Sequence, residues 1–160
     1  MKSPRLLTAL LLLAAIVSPG RAEDPAPPPA GPPAAGAEAK KPETELDGKM
    51  EKMNGAFRKL RRQAADPTKN AESIALVATL KENATAAAKL VPAKADTIPE
   101  ADRAKFLEGY RSKMADMLAA IDKLAAAFQA NQNDDAVKII QDMGAMQKEG
   151  HHEYRLPEKH

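Results

Sequence analysis

From residue 43 onward proline occurs only at Pro67, Pro92, Pro99 and Pro157, and apolar side chains between these positions recur at helical spacing. Proline costs about 3 kcal/mol in a helix interior, so these residues divide the region into segments. The polar stretch Asn131-Gln132-Asn133-Asp134 supplies one further break. Four helical segments result. In the first, about residues 43–65, Leu46, Met50, Met53, Phe57, Leu60 and Ala64 follow a heptad stripe. Asp66-Pro67 restarts the chain, Asp as an N-cap and Pro in the first turn. The second segment, about residues 67–90, presents Ile74, Val77, Leu80, Ala84 and Ala87. The third opens at Thr97-Ile98-Pro99-Glu100, which has the capping-box spacing, and should reach about residue 130. Its stripe is Leu107, Tyr110, Met114, Met117, Ile121, Leu124 and Phe128. The fourth starts near Asn133 as N-cap, with Ala136, Ile140, Met143, Gln147, His151 and Tyr154 on one face, and closes at Leu156-Pro157.

Four amphipathic helices with short polar links predict an all-α fold, an antiparallel up-down-up-down four-helix bundle. Composition agrees: 33 residues are Ala and only five are aromatic. Alanine buries little area, so the core is thin and would gain from an apolar ligand that binds only the folded state. The chain has no Cys, which excludes disulfides, thiolate metal sites, cysteine nucleophiles and covalent haem attachment.

Two further segments precede the bundle. Residues 1–22 read as a secretory signal peptide: Lys2 and Arg5, then an apolar run from Leu6 to Val17, then Gly20 and Ala22 before a cleavage site. The run is shorter than the ~20 residues of a membrane span, so no stable membrane insertion is expected after cleavage. Residues 23–42 contain seven prolines and read as a linker. The formal charge of +2 is an effect of the leader, because 21 basic and 22 acidic residues remain without it. Such a balance offers no field for nucleic acid.

Few residues carry chemistry. On a helical wheel His151 lies within about 60° of the centre of its apolar face, whereas His152 lies about 160° away. A histidine at a core rim is ordinarily bonded to backbone or water. Met50, however, sits inward near the start of the first segment. Antiparallel pairing of the first and fourth segments puts Met50 and His151 about 10 and 8 Å from the same end of the bundle. A thioether and an imidazole facing each other across an apolar core can ligate haem iron. Three Met pairs with i,i+3 spacing occur, Met50/Met53, Met114/Met117 and Met143/Met146. Methionine is common core filler, and dispersal over three segments favours that reading; the rival is a thioether copper site in a haem-free metal-binding or stress-response bundle. A third reading is a haem-free structural or partner-binding bundle. The basic run Arg58, Lys59, Arg61 and Arg62 reads as a solvated face that could dock an acidic redox partner. Asn83-Ala84-Thr85 matches a glycosylation triplet but falls inside a helix. The sequence contains no nucleophile–base constellation and no phosphate loop.

At both ends the chain resembles the soluble cytochrome b562 family of periplasmic four-helix haem proteins, over most of residues 43–156. Leu46-Asp47-Gly48-Lys49-Met50 with Asn54 looks like the family's opening helix. His151-His152-Glu153-Tyr154-Arg155 looks like its closing stretch, with Tyr three and Arg four residues after the ligand histidine. Phe106, Gly109 and Tyr110 look like the aromatic pair around a glycine that flanks the haem. The third helix is longer than the family's, and Gln147 stands where the family has an arginine. Covalent relatives carry Cys at the positions of Gln147 and Gly150, which this chain lacks. The resemblance implies one non-covalent haem b with Met50 and His151 as axial metal ligands. It implies packing of Phe106 and Tyr110 on the haem, and Arg155 on a propionate. It further implies an electron carrier rather than an enzyme, exported to the periplasm, monomeric, and served by a redox partner protein.

Overall fold

The computed structural model describes residues 44–157. The expected signal peptide and the linker lie outside these residues. Four helices follow in order: α1 (Glu45–Gln63), α2 (Asn70–Ala87), α3 (Glu100–Gln129) and α4 (Asn133–Tyr154). They pack sequentially as an up-down-up-down bundle, α1 on α2, α2 on α3, α3 on α4. Helices α1 and α4 meet only sparsely. Among the described residues no helix is long and apolar enough to cross a membrane.

The heptad stripes form the core. Leu60, Leu80, Ile121, Leu124, Phe128 and Met143 are almost completely buried. Alanines 56, 64, 84, 87, 127 and 136 fill the contacts between them, so neighbouring helices approach closely. Polar residues also enter α2's buried face. Ser73 is buried and its Oγ accepts a hydrogen bond from Gln63 Nε2 at 3.0 Å. Asn83 is buried and donates to the Thr79 carbonyl at 2.8 Å, so the amide of the apparent glycosylation triplet points into the protein.

Three helix starts differ from expectation. Helix α1 begins two residues late because Thr44 caps it: Asp47 N–H donates to Thr44 Oγ1 at 3.1 Å, and Thr44 N–H donates to the Asp47 carboxylate at 3.1 Å. The box expected at Thr97 and Glu100 does not form. Residues Ala93–Thr97 make a short 3₁₀ helix, and the Thr97 hydroxyl donates to the Lys94 carbonyl at 2.7 Å instead. Helix α3 then starts after Pro99. Asn133 is the first residue of α4 rather than its cap. Its side chain crosses the bundle, donating to the Ala64 carbonyl at the end of α1 at 2.6 Å and to Asn70 Oδ1 at 2.8 Å. Asn70 in turn donates to Asn131 Oδ1 at 2.9 Å. Asn131 has φ 55°, a left-handed conformation that Asn tolerates better than most residues. The Asp66-Pro67 start forms as expected, opening the 3₁₀ turn Pro67–Lys69.

This asparagine cluster closes one end of the bundle. Replacing Asn133 by Ala removes the donor to Asn70 Oδ1 and to the Ala64 carbonyl, and should cost about 1–3 kcal/mol in urea unfolding. A second prediction concerns pH. Two hydrogen bonds from Thr68 hold the Asp66 carboxyl below its ordinary 3.8. A carboxylate with a depressed folded-state value adds stability above the unfolded value and loses it as pH falls through the folded one. The melting advantage of the native chain over Asp66→Ala, followed by circular dichroism, should therefore be full at neutral pH and shrink below 3.8.

Candidate cofactor cleft

The opposite end of the bundle is open. There α1 and α4 separate, and a cleft of about 850 Å³ runs between them down to α2 and α3. Its floor is apolar: Phe57, Leu80, Met114 and Met143, all buried. The volume falls within the ~300–1,000 Å³ usual for small-molecule and cofactor sites.

Met50 and His151 both line this cleft, and His152 does not. Met50 is five residues inside α1 and His151 three residues from the end of α4, which puts them about 7.5 and 4.5 Å from the helix ends that meet at the cleft mouth. Met50 is half-buried and His151 is exposed at the rim. Partial desolvation, followed by the nearby Arg155 cation, pushes the imidazole of His151 below its ordinary 6.5. The ring is thus biased towards the neutral form, which carries the lone pair a metal needs.

Local packing holds His151 in place. Tyr154, one turn further along α4, is buried. Its ring lies 5.1 Å from Phe106 and 5.5 Å, edge-on, from Tyr110. Gly109 makes this seat possible, because a Cβ there would stand 2.7 Å from the Tyr154 hydroxyl. Tyr110 is also buried and lines the cleft. Its hydroxyl donates to the Ala87 carbonyl at the end of α2 at 2.9 Å, and burial pushes the phenol up to about 12. Tyr110 is therefore a fixed, neutral wall. On the outer side Lys94 Nζ donates to the Glu153 carbonyl at 2.6 Å, placing a cation at the negative end of the α4 dipole. Lys113 and Glu149 form an ion pair at 2.7 Å across the α3–α4 rim of the cleft.

Of the residues singled out from the sequence, Met50, His151, Tyr110 and Arg155 line the cleft. Phe106 does not; it is half-buried behind Tyr154. Gln147, at the family's arginine position, also lines it. Sequence reasoning missed the scale of the methionine contribution: all six methionines of the described residues border this one space. The i,i+3 pairs carried that signal, but only the bundle topology turns three separate helix faces towards each other.

The residues fit a haem. The floor is apolar, the donor set comprises one thioether and one imidazole at the mouth, and the absence of Cys leaves ligation and packing as the means of holding it. Fold and cleft together define a four-helix bundle with an open, largely apolar cleft between its first and last helices. A model of the cytochrome b562 family matches residues 45–155. The chain belongs to that family, which consists of haem-binding electron carriers and not enzymes. No curated protein matches the chain.

Gly109→Ala should drive the Tyr154 hydroxyl from its seat and cost about 1–3 kcal/mol, as overpacking does. In a Tyr154→Phe background the same substitution should cost much less, because the clashing atom is gone. Urea denaturation of the four proteins measures this coupling.

Proposed function

We propose that this chain binds one non-covalent b-type haem through Met50 and His151 and carries single electrons in the periplasm. The observation behind this reading is the shared cleft: the Met50 thioether and the His151 imidazole border the same largely apolar space from antiparallel helices. When bound, haem iron supplies a one-electron couple, and thioether ligation raises its potential. The polypeptide does the rest. Met50 and His151 would hold the iron through a thioether and an imidazole, and with both bound the iron would keep no position for substrate. Phe57, Leu80, Met114 and Met143 exclude water from the buried edge. Tyr110 would form a wall of the haem site, and Phe106, which packs on Tyr154, would act on it at one remove. Arg155, exposed at the rim, would pair with a propionate.

The signal-like residues 1–22 support export, with residues 23–42 as a spacer. The carrier is proposed to act as a monomer that exchanges electrons with a partner protein at the cleft mouth.

Hemin added to the purified protein should give sharp low-spin Soret and α-bands. His151→Ala should abolish the low-spin spectrum. Met50→Leu should keep haem in the cleft but lower the reduction potential and weaken the α-band. A spectrum indifferent to His151→Ala would reject this ligation.

A further inference from the structure

Haem ligation uses one of the six methionines in the cleft. The others are usually explained as filler, and Met114 and Met143, at 7% and 1% exposure, fit that description. Met53, Met117 and Met146 do not fit it as well. Each is half-buried, each lines the cleft, and each comes from a different helix.

Two cross-helix contacts give their relative heights. The Asn133–Ala64 hydrogen bond ties α4 to α1 at the closed end. Counting towards the mouth, Met53 lies eleven residues from Ala64 and Met146 thirteen from Asn133, or about 16.5 and 19.5 Å. The Lys113–Glu149 ion pair ties α3 to α4 at the rim. Counting from it towards the floor, Met117 lies four residues from Lys113 and Met146 three from Glu149, or about 6 and 4.5 Å. The backbone positions of the three methionines therefore stand within about 3 Å of one level, and their side chains line one cleft. By the same count Met50 stands at about 21 Å and His151 at about 27 Å, so this level is nearer the closed end than either. The nearby carboxylates Glu51 and Asp116 are exposed, and Glu149 is already paired with Lys113. The half-buried donors at this depth are thus mostly soft sulfurs, with the Gln147 amide beside Met146.

We propose that the Met53, Met117 and Met146 thioethers form a binding site for a soft monovalent cation, Cu(I), in the haem-free chain. Uncharged thioether donors select Cu(I) over hard divalent ions. Three sulfurs from three helices complete a low-coordinate shell without requiring a carboxylate. Binding this ion also ties α1 to α3 and α4 across the seam that the apolar core leaves open. The site goes beyond haem binding and uses neither proposed axial ligand.

The test is an anaerobic competition for Cu(I) between the haem-free full chain and the chromophoric chelator bicinchoninate, with ascorbate present. The expected result is uptake of one Cu(I) per chain, with sulfur as the main neighbour in copper X-ray absorption. Met53→Leu/Met117→Leu/Met146→Leu nearly conserves volume and should weaken binding at least tenfold while far-ultraviolet circular dichroism stays helical. Failure of the native chain to compete would overturn the site, as would equal competition by the triple variant or an absorption spectrum with only nitrogen and oxygen neighbours. If the triple variant loses its helices, the absorption spectrum of the native chain decides alone. No haem is present in these samples, so their outcome is independent of the hemin titration.

Discussion

The side-chain bridge from Asn133 to the Ala64 carbonyl and to Asn70 is the contact on which the remaining geometry depends. It joins the start of the last helix to the end of the first. Helices are stiff rods with a fixed rise per residue, so one such tie sets the height of every residue on α4 relative to α1. Met50 and His151 both line the open end, at heights that a hydrogen-bonded cluster at the far end of the molecule fixes. The bridge is polar and partly buried, and every member is paired. Such networks are demanding to satisfy and tend to specify one arrangement. An apolar contact at this place would allow α4 to slide by a residue or two with little loss.

Alanine makes the second contribution. Small side chains let α1, α2, α3 and α4 pack closely along three of the four seams. They also leave too little side-chain volume to fill the fourth. The larger residues, Leu60, Phe128, Leu124 and Ile121, are the ones almost fully buried in the core. The cleft therefore reflects how side-chain volume is distributed along the heptads, and its walls are whatever the stripes present at that level, chiefly thioethers.

Much of this was legible in the sequence. The four helices, their order and the inward direction of His151 followed from periodicity and from proline positions, because both act locally. Met50 and His151 were paired by counting from helix ends, which works when helices are straight and antiparallel. What failed was also local in origin but decided by competition. Thr97 has the right spacing for a cap, yet its hydroxyl is taken by the Lys94 carbonyl in a preceding 3₁₀ turn. Asn133 looks like a cap, yet a partner sixty-three residues away claims its amide. Ser73 and Asn83 interrupt the apolar face of α2; their burial depends on partners that no spacing rule names. The convergence of the methionines, and the position of Phe106 behind Tyr154, needed the three-dimensional arrangement.

The seam between α1 and α4 has a consequence for motion. Free energies of local opening follow the density of buried contacts. Here that density falls from the asparagine-tied end towards the mouth, so amide hydrogen exchange should be slowest around Leu60 and Phe128 and fastest in the first turns of α1. A bundle graded in this way can part like a hinged clip. Only the weakly protected end has to open for a large planar guest to enter or leave, while the rest of the molecule keeps its fold and its register.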